Sequence, residues 1–218
     1  MRILVVAATI EEVFSLKSGV LSQESEINID DSGLKTKDFE LLITGVGMVA
    51  TTFALTRHLT TASYDLVVNL GIAGSFDRGI ALGEVLEITQ DTFAELGAED
   101  DNAFLAIDEI GFGTGTYHPT TKIADLYNLF NTFNLKQANA ITVNTVHGNE
   151  ASIKKVAERL NPKLESMEGA AFFYVCNQMN VPCIQIRAVS NYVEKRNRDA
   201  WNIPLAIKNL NTFAVEFL

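Results

Sequence analysis

The sequence is short of cysteine, histidine and positive charge, and it has no long apolar run. Cys176 and Cys183 are its two cysteines, each inside an apolar stretch. That excludes a disulfide scaffold and reads as reduced core thiols in a cytosolic protein. The three histidines, His58, His118 and His147, are scattered and lack the spacing of a zinc site. Lys and Arg total 17 against 27 Asp and Glu, a net charge of −10. A general nucleic-acid surface needs a basic face, so that partner is excluded. A small anionic ligand met by a local basic patch is not. No apolar run is long enough to span a bilayer, and the N-terminus lacks the apolar region of a signal peptide. A cytoplasmic location without a membrane partner is the expectation.

What is present suits one compact domain over 1–218. The 218 residues are 47% hydrophobic and 20% charged, enough to bury a sizeable core. No internal repeat, low-complexity tract or linker divides them. Short apolar runs at Ile3–Ala8, Leu41–Thr44, Asp65–Leu70, Gly83–Thr89 and Ala140–Val143 read as strands. Helical spacing is expected over Val49–Leu59, Asn149–Leu160 and Pro204–Phe217. Residues 22–38 are polar and read as a hairpin or loop, and 94–120 as an irregular stretch. Strands alternating with helices predict an α/β class with a central, mostly parallel sheet.

One stretch, Glu165 to Asn191, organises the rest. Ser166 is a candidate N-cap for a helix with Met167, Ala170, Ala171, Tyr174, Val175 and Met179 on its apolar face. Cys183–Val189 is then a buried strand, apolar apart from Gln185 and Arg187, ending in Ser190-Asn191. Ligands of open α/β sheets bind outside the carboxyl ends of strands, which places Asn191 at a ligand. Glu168 falls in the first helical turn, where free N–H groups favour a carboxylate.

Each polar candidate also has a plain structural reading. Thr9-x-x-Glu12 is a capping box. Asn191 can be a turn after a strand. Lys195–Trp201 can be a solvated loop around a buried Trp. Gly45-Val46-Gly47 lacks the third glycine of a dinucleotide fingerprint and needs no more than a tight turn.

The pattern Met167-Glu168-Gly169-Ala170-Ala171, followed by Arg187-Ala188-Val189-Ser190-Asn191, resembles the nucleoside phosphorylase and nucleosidase superfamily. Asn197-Arg198-Asp199-Ala200-Trp201 narrows the resemblance to the futalosine hydrolases within it, nucleosidases of the menaquinone pathway. The resemblance runs over essentially the whole chain. It implies a nucleoside phosphorylase-like fold, a nucleoside substrate, no metal or organic cofactor, and a homo-oligomer, most simply a dimer. It assigns Glu12 to activation of the attacking water, Glu168 to the ribose hydroxyls and Met167 to the sugar. Asn191 stands where adenine-cleaving relatives have Asp. An amide offers a donor and an acceptor but no general acid, which suits a 6-oxopurine such as hypoxanthine.

The acidic first loop, Ala7 to Glu12, and Ile72 in place of Ser or Thr argue for water over phosphate as nucleophile, with Ser75 the one hydroxyl that could substitute in a shifted loop. Ile72 and Val146 count among the substrate-binding candidates. Arg196 or Arg198, with Trp201, would meet the carboxylate of the futalosine tail. His147 could line the base pocket, although an ordinary loop histidine is the preferred reading.

Overall fold

The computed structural model describes residues 1–16, 34–35, 39–123 and 134–218. Apart from Leu34–Lys35, the polar stretch 22–38 lies outside the described residues. The strands are β1 Ile3–Ala7, β2 Leu34–Lys35, β3 Phe39–Ile43, β4 Leu66–Ser75, β5 Val85–Phe93, β6 Gly97–Asp100, β7 Ala103–Ala106, β8 Thr116–Tyr117, β9 Lys136–Thr142, β10 Leu164–Ser166 and β11 Cys183–Tyr192. Among the described residues the long helices are α1 Met48–Leu59, α2 Glu150–Leu160, α3 Gly169–Met179 and α4 Ile203–Phe217.

Nine strands form one mixed sheet in the order β10-β9-β5-β11-β4-β1-β3-β2, with β8 on β5. Five pairings are parallel, among them β1 with β3 and β4, and β4 with β11. β11 meets β5 antiparallel. The short strand β10 pairs with β9 and also with the end of β4, through Leu164–Ser75 and Glu165–Gly74. That double pairing curls the sheet and closes β10, β9, β5, β11 and β4 into a ring.

Side-chain alternation divides the core between the two faces. Ile3 and Val5 of β1, Leu66 and Val68 of β4, and Ile184 and Ile186 of β11 pack under Leu210, Phe213 and Phe217 of α4. The intervening residues Leu4, Val6, Val67 and Cys183 pack under Leu55 of α1 and Phe172 and Phe173 of α3. Cys176 and Cys183 are free and buried. No helix among the described residues is long and apolar enough to cross a membrane.

Several elements differ from their expected form. β4 does not stop at Leu70 but runs through Gly71-Ile72-Ala73-Gly74 to Ser75, because β11 on one side and β10 on the other continue its ladder. The stretch 94–120 holds the β6–β7 hairpin and β8. α3 starts at Gly169 rather than at Ser166, which belongs to β10. Glu168 is therefore its cap residue, not a first-turn residue. The apolar face of α3 is also wider than its spacing predicts. Phe172, Phe173 and Cys176 are fully buried between sheet and α1, while Tyr174 is 37% exposed.

Candidate active site

A cavity of about 520 Å³ opens over the carboxyl ends of β1, β4 and β11, with β10 and the loop after β9 as its far wall. Its lining includes Glu12, Ile72, Val146, Met167, Glu168, Asn191, Arg196 and Trp201. Eight of the nine candidates named from the sequence thus share one space. Arg198 is outside the lining; it opens a short 3-10 turn with its guanidinium 5.9 Å from the Trp201 ring.

Glu12 makes the contact of its structural reading and also lines the cavity. Its Oε2 accepts from the backbone N–H of Thr9 at 3.1 Å and from Thr9 Oγ1 at 3.4 Å, the carboxylate half of a capping box. Its Oε1 reaches across to the N–H of Ile72 at 3.0 Å, which ties the first loop to β4. The side chain is buried, and burial raises its pKa. Arg187 and the Ile72 N–H oppose that rise, while the charge of Glu168 adds to it. A buried carboxylate with raised proton affinity can take a proton from water.

Glu168 is held from another direction. Its Oε1 accepts from the N–H of Gly47 at 3.0 Å. Gly47 precedes α1 with φ +96°, a left-handed conformation that favours glycine and turns this N–H inward. The second oxygen has lone pairs for a diol.

Asn191 reaches the cavity because β11 is irregular. The register with β4 shifts between Val189, opposite Ala73, and Asn191, opposite Gly74. Ser190 is the extra residue of this bulge, and it moves Asn191 from the face of Val189 to the face of Gly74. A Cβ on Gly74 would stand 3.1 Å from Asn191 Nδ2, so the glycine keeps that space open. The Asn191 amide accepts from Ser190 Oγ at 2.8 Å and donates to the Tyr192 carbonyl at 3.1 Å, leaving one N–H for a ligand.

Beneath the cavity runs a buried polar chain that the sequence reading did not identify. Arg187 is 1% exposed. Its Nη2 donates to Asn69 Oδ1 at 2.6 Å and to Gln185 Oε1 at 3.3 Å. Gln185 Nε2 donates to Asp91 Oδ2 at 2.9 Å, and Thr142 Oγ1 donates to Asp91 Oδ1 at 2.8 Å. Thr142 in turn accepts the N–H of Ala170, at the start of α3, at 2.7 Å. Arg187 Nε has no partner among the described residues. Gly71 stands in register with Arg187, and a Cβ there would fall 1.8 Å from Nη1 and 3.2 Å from Glu12 Oε1. Guanidinium and carboxylate thus approach the same bare Cα. The available signal was the pair Gln185 and Arg187 in an otherwise apolar strand, since a buried charge needs partners.

His147 also lines the cavity, contrary to its reading as an ordinary loop histidine. Its backbone N–H and its Nδ1 both bond Glu165, a nearly buried residue of β10. Ser75 is excluded as a ligand donor. Its hydroxyl donates to the carbonyls of Asp77 and Lys163 and accepts from the Asp77 N–H, outside the cavity. Among the described residues no group of three His, Cys, Asp or Glu is placed to hold a metal ion.

A curled, mostly parallel sheet with buried carboxylates above its central strands defines a class, and the chain belongs to the Phosphorylase superfamily, whose pattern matches residues 33–218. It is similar to a futalosine hydrolase of Streptomyces coelicolor, 34% identical over 67% of this chain and 62% of that protein, so the match spans less than two thirds of that relative. It is 28% identical to a futalosine hydrolase of Thermus thermophilus, over 82% of this chain and 80% of the other. The fold is shared with a 5′-methylthioadenosine/S-adenosylhomocysteine nucleosidase from Neisseria meningitidis, with TM-score 0.79, 18% identity, and 99% and 97% of the two chains covered.

The buried chain makes stability depend on pH. Burial pushes the Asp91 carboxyl up from 3.8 to about 6, against the hydrogen bonds of Gln185 and Thr142 and the charge of Arg187. The folded chain therefore holds this proton more tightly than the unfolded one. The stability this gives is complete below pH 3.8 and lost as pH rises through about 6. Asp91→Asn removes that titration, so its urea midpoints should change less than wild-type between pH 4 and pH 6. Parallel midpoint curves for the two proteins would show that Asp91 does not titrate in this window.

Proposed function

We propose that this protein hydrolyses the N-glycosidic bond of futalosine, releasing hypoxanthine, with water as nucleophile and without a metal or organic cofactor. The reaction would place it in menaquinone biosynthesis, as a single cytoplasmic domain. The observation that carries the reading is the meeting of Glu12, Glu168 and Asn191 in one small cavity. Loss of a nucleoside base leaves an oxocarbenium-like sugar. Glu12 would orient the water, take its proton and stabilise that cation. Glu168 would accept hydrogen bonds from the ribose hydroxyls, with Met167 against the sugar and Ile72 and Val146 packing around the substrate. The names of the Streptomyces and Thermus relatives support futalosine as the substrate.

Water is favoured over phosphate by charge. Five carboxylates line the cavity, those of Glu11, Glu12, Glu165, Glu168 and Glu194, against one arginine, Arg196, and His147. A phosphate dianion would meet repulsion there. Cleavage of adenine nucleosides, the main rival, is disfavoured because Asn191 can donate to O6 whereas adenine presents an amino group. A binding protein on this scaffold has no need of a buried carboxylate with raised proton affinity.

Arg196 is the better placed of the two tail arginines. It lines the cavity, with its guanidinium 5.2 Å from the Trp201 ring centre. Arg198 approaches the same ring from outside and would support Trp201.

A homodimer completes the proposal. Val49 and Phe53 on α1 and Phe112 after β7 are 78%, 68% and 80% exposed around an apolar groove of about 1110 Å³. Such a patch marks an interaction site. The same segment carries Gly47, which anchors Glu168, and Val46, which lines the cavity, so a second copy there would border the cavity mouth.

A panel of futalosine, inosine and adenosine, assayed with and without phosphate and scored for free base, tests the central claim. Futalosine should release hypoxanthine at a rate indifferent to phosphate, and Glu12→Gln should lower kcat by about 10²–10⁴-fold. A phosphate requirement, or near-wild-type turnover of Glu12→Gln, would reject water activation by Glu12. Arg196→Ala should lower kcat/KM for futalosine by about 10–100-fold and leave inosine nearly unchanged; equal losses would make the arginine structural. In sedimentation velocity the wild type should run as a dimer and Phe53→Glu as a monomer, while a monomeric wild type would remove the α1 interface.

A further inference from the structure

The nucleosidase reading leaves one requirement unmet. As the C1′–N9 bond breaks, its electron pair enters the purine ring and builds up on N7 and O6. Asn191 can donate a hydrogen bond to that edge but cannot surrender a proton. A second group in the same cavity can.

Register puts it in place. Gly74 of β4 pairs with Asn191 of β11 on one side and with Glu165 of β10 on the other. Residues opposite each other in a ladder project from the same face, so Glu165 and Asn191 stand on either side of a glycine that has no side chain to fill the gap. Glu165 is 4% exposed and nearly buried, and its two oxygens go to the backbone N–H of His147, at 2.9 Å, and to His147 Nδ1. With Nδ1 held by the carboxylate, Nε2 is the ring nitrogen left to a ligand in the cavity that His147 lines. The ring of Phe76 lies against the imidazole at a centroid distance of 6.5 Å.

We propose that His147, oriented by Glu165, is the acid that protonates the departing purine across the cavity from Asn191. This deepens the nucleosidase reading and rests on it. The step balances as follows: the glycosidic pair passes to the base, the Nε2 proton passes to its N7/O6 edge, and water adds to C1′ as Glu12 takes its proton. Hypoxanthine leaves neutral, and solvent returns the Glu12 proton to His147.

The surroundings favour the charged form of the imidazole. Its bond to Glu165 raises the His147 pKa, burial opposes that rise, Glu95 after β5 adds to it, and Arg159 of α2 lowers it. Arg196 also stands near, its N–H donating to the Gly148 carbonyl at 3.3 Å. The cationic form is present below the raised pKa and lost as pH rises through it. Activity that needs this proton should therefore fall on the alkaline side, opposite to the limb on which Glu12 must ionise.

The test is the pH profile of kcat/KM for inosine in the wild type, His147→Gln and Glu165→Gln, beside 4-nitrophenyl β-D-riboside, whose phenolate departs without a proton. His147→Gln should lower inosine cleavage at neutral pH by about 10²-fold or more and abolish the alkaline limb. It should change riboside cleavage less than threefold, because that leaving group departs without a proton. Glu165→Gln should keep the limb but move it to lower pH, a readout that stands if His147→Gln does not fold. An alkaline limb that persists in His147→Gln, one that is unmoved in Glu165→Gln, or equal losses on both substrates would overturn the proposal. A wild type that frees no base from any nucleoside removes this inference and the nucleosidase reading together; base release with an unmoved limb removes this inference alone.

Discussion

A full positive charge inside a β-sheet has to be answered, and much of this protein is arranged around answering Arg187. Stripping a guanidinium of water costs several kcal/mol unless polar groups replace the solvent. Here the replacement comes from Asn69 on β4, Gln185 on β11 and, one bond further, Asp91 on β5 and Thr142 on β9. Thr142 then fixes the N–H of Ala170, so the chain of bonds ends at the start of α3. The cation on one strand thereby ties four strands and the helix that carries Glu168. Gly71 is the steric condition, since a single methyl there would occupy the position of the guanidinium.

The same charge acts upward on the cavity. Burial raises the proton affinity of Glu12; Arg187 below lowers it, and Glu168 alongside raises it. The general base proposed for this position would need opposing influences of this kind on its proton affinity. In its proposed role Glu12 would thus be tuned from beneath by Arg187, a residue that does not line the cavity, and its two oxygens are held by backbone N–H groups of two different segments. Such anchoring would reduce the reorganisation that the proposed chemistry requires.

Closure of the sheet does the remaining work. β10 is three residues long, yet its pairing with the end of β4 brings Glu165, and through it His147, to within two strands of Asn191. The bulge at Ser190 supplies the matching adjustment on the other side. Both determine which side chains face the cavity, because a shift of one residue along a strand exchanges its two faces.

Local pattern in the sequence determined a good deal. The α/β class follows from the alternation of short apolar runs with helical spacing, and the caps at Asn149 and the turn at Gly45–Gly47 follow from residue chemistry. Ser190-Asn191 pointed to the cavity because ligands bind outside the carboxyl ends of strands in such sheets, and Met167-Glu168 pointed to it through the family resemblance. Tertiary structure alone decided the rest. Nothing local says that β4 continues through two glycines, that Arg187 in an apolar strand is bonded to Asn69 more than a hundred residues away, or that Glu165 holds a histidine. Those are pairings between distant segments, made by ladder register and by the need to satisfy polar groups withdrawn from water, and a single strand read by itself carries no record of its neighbours.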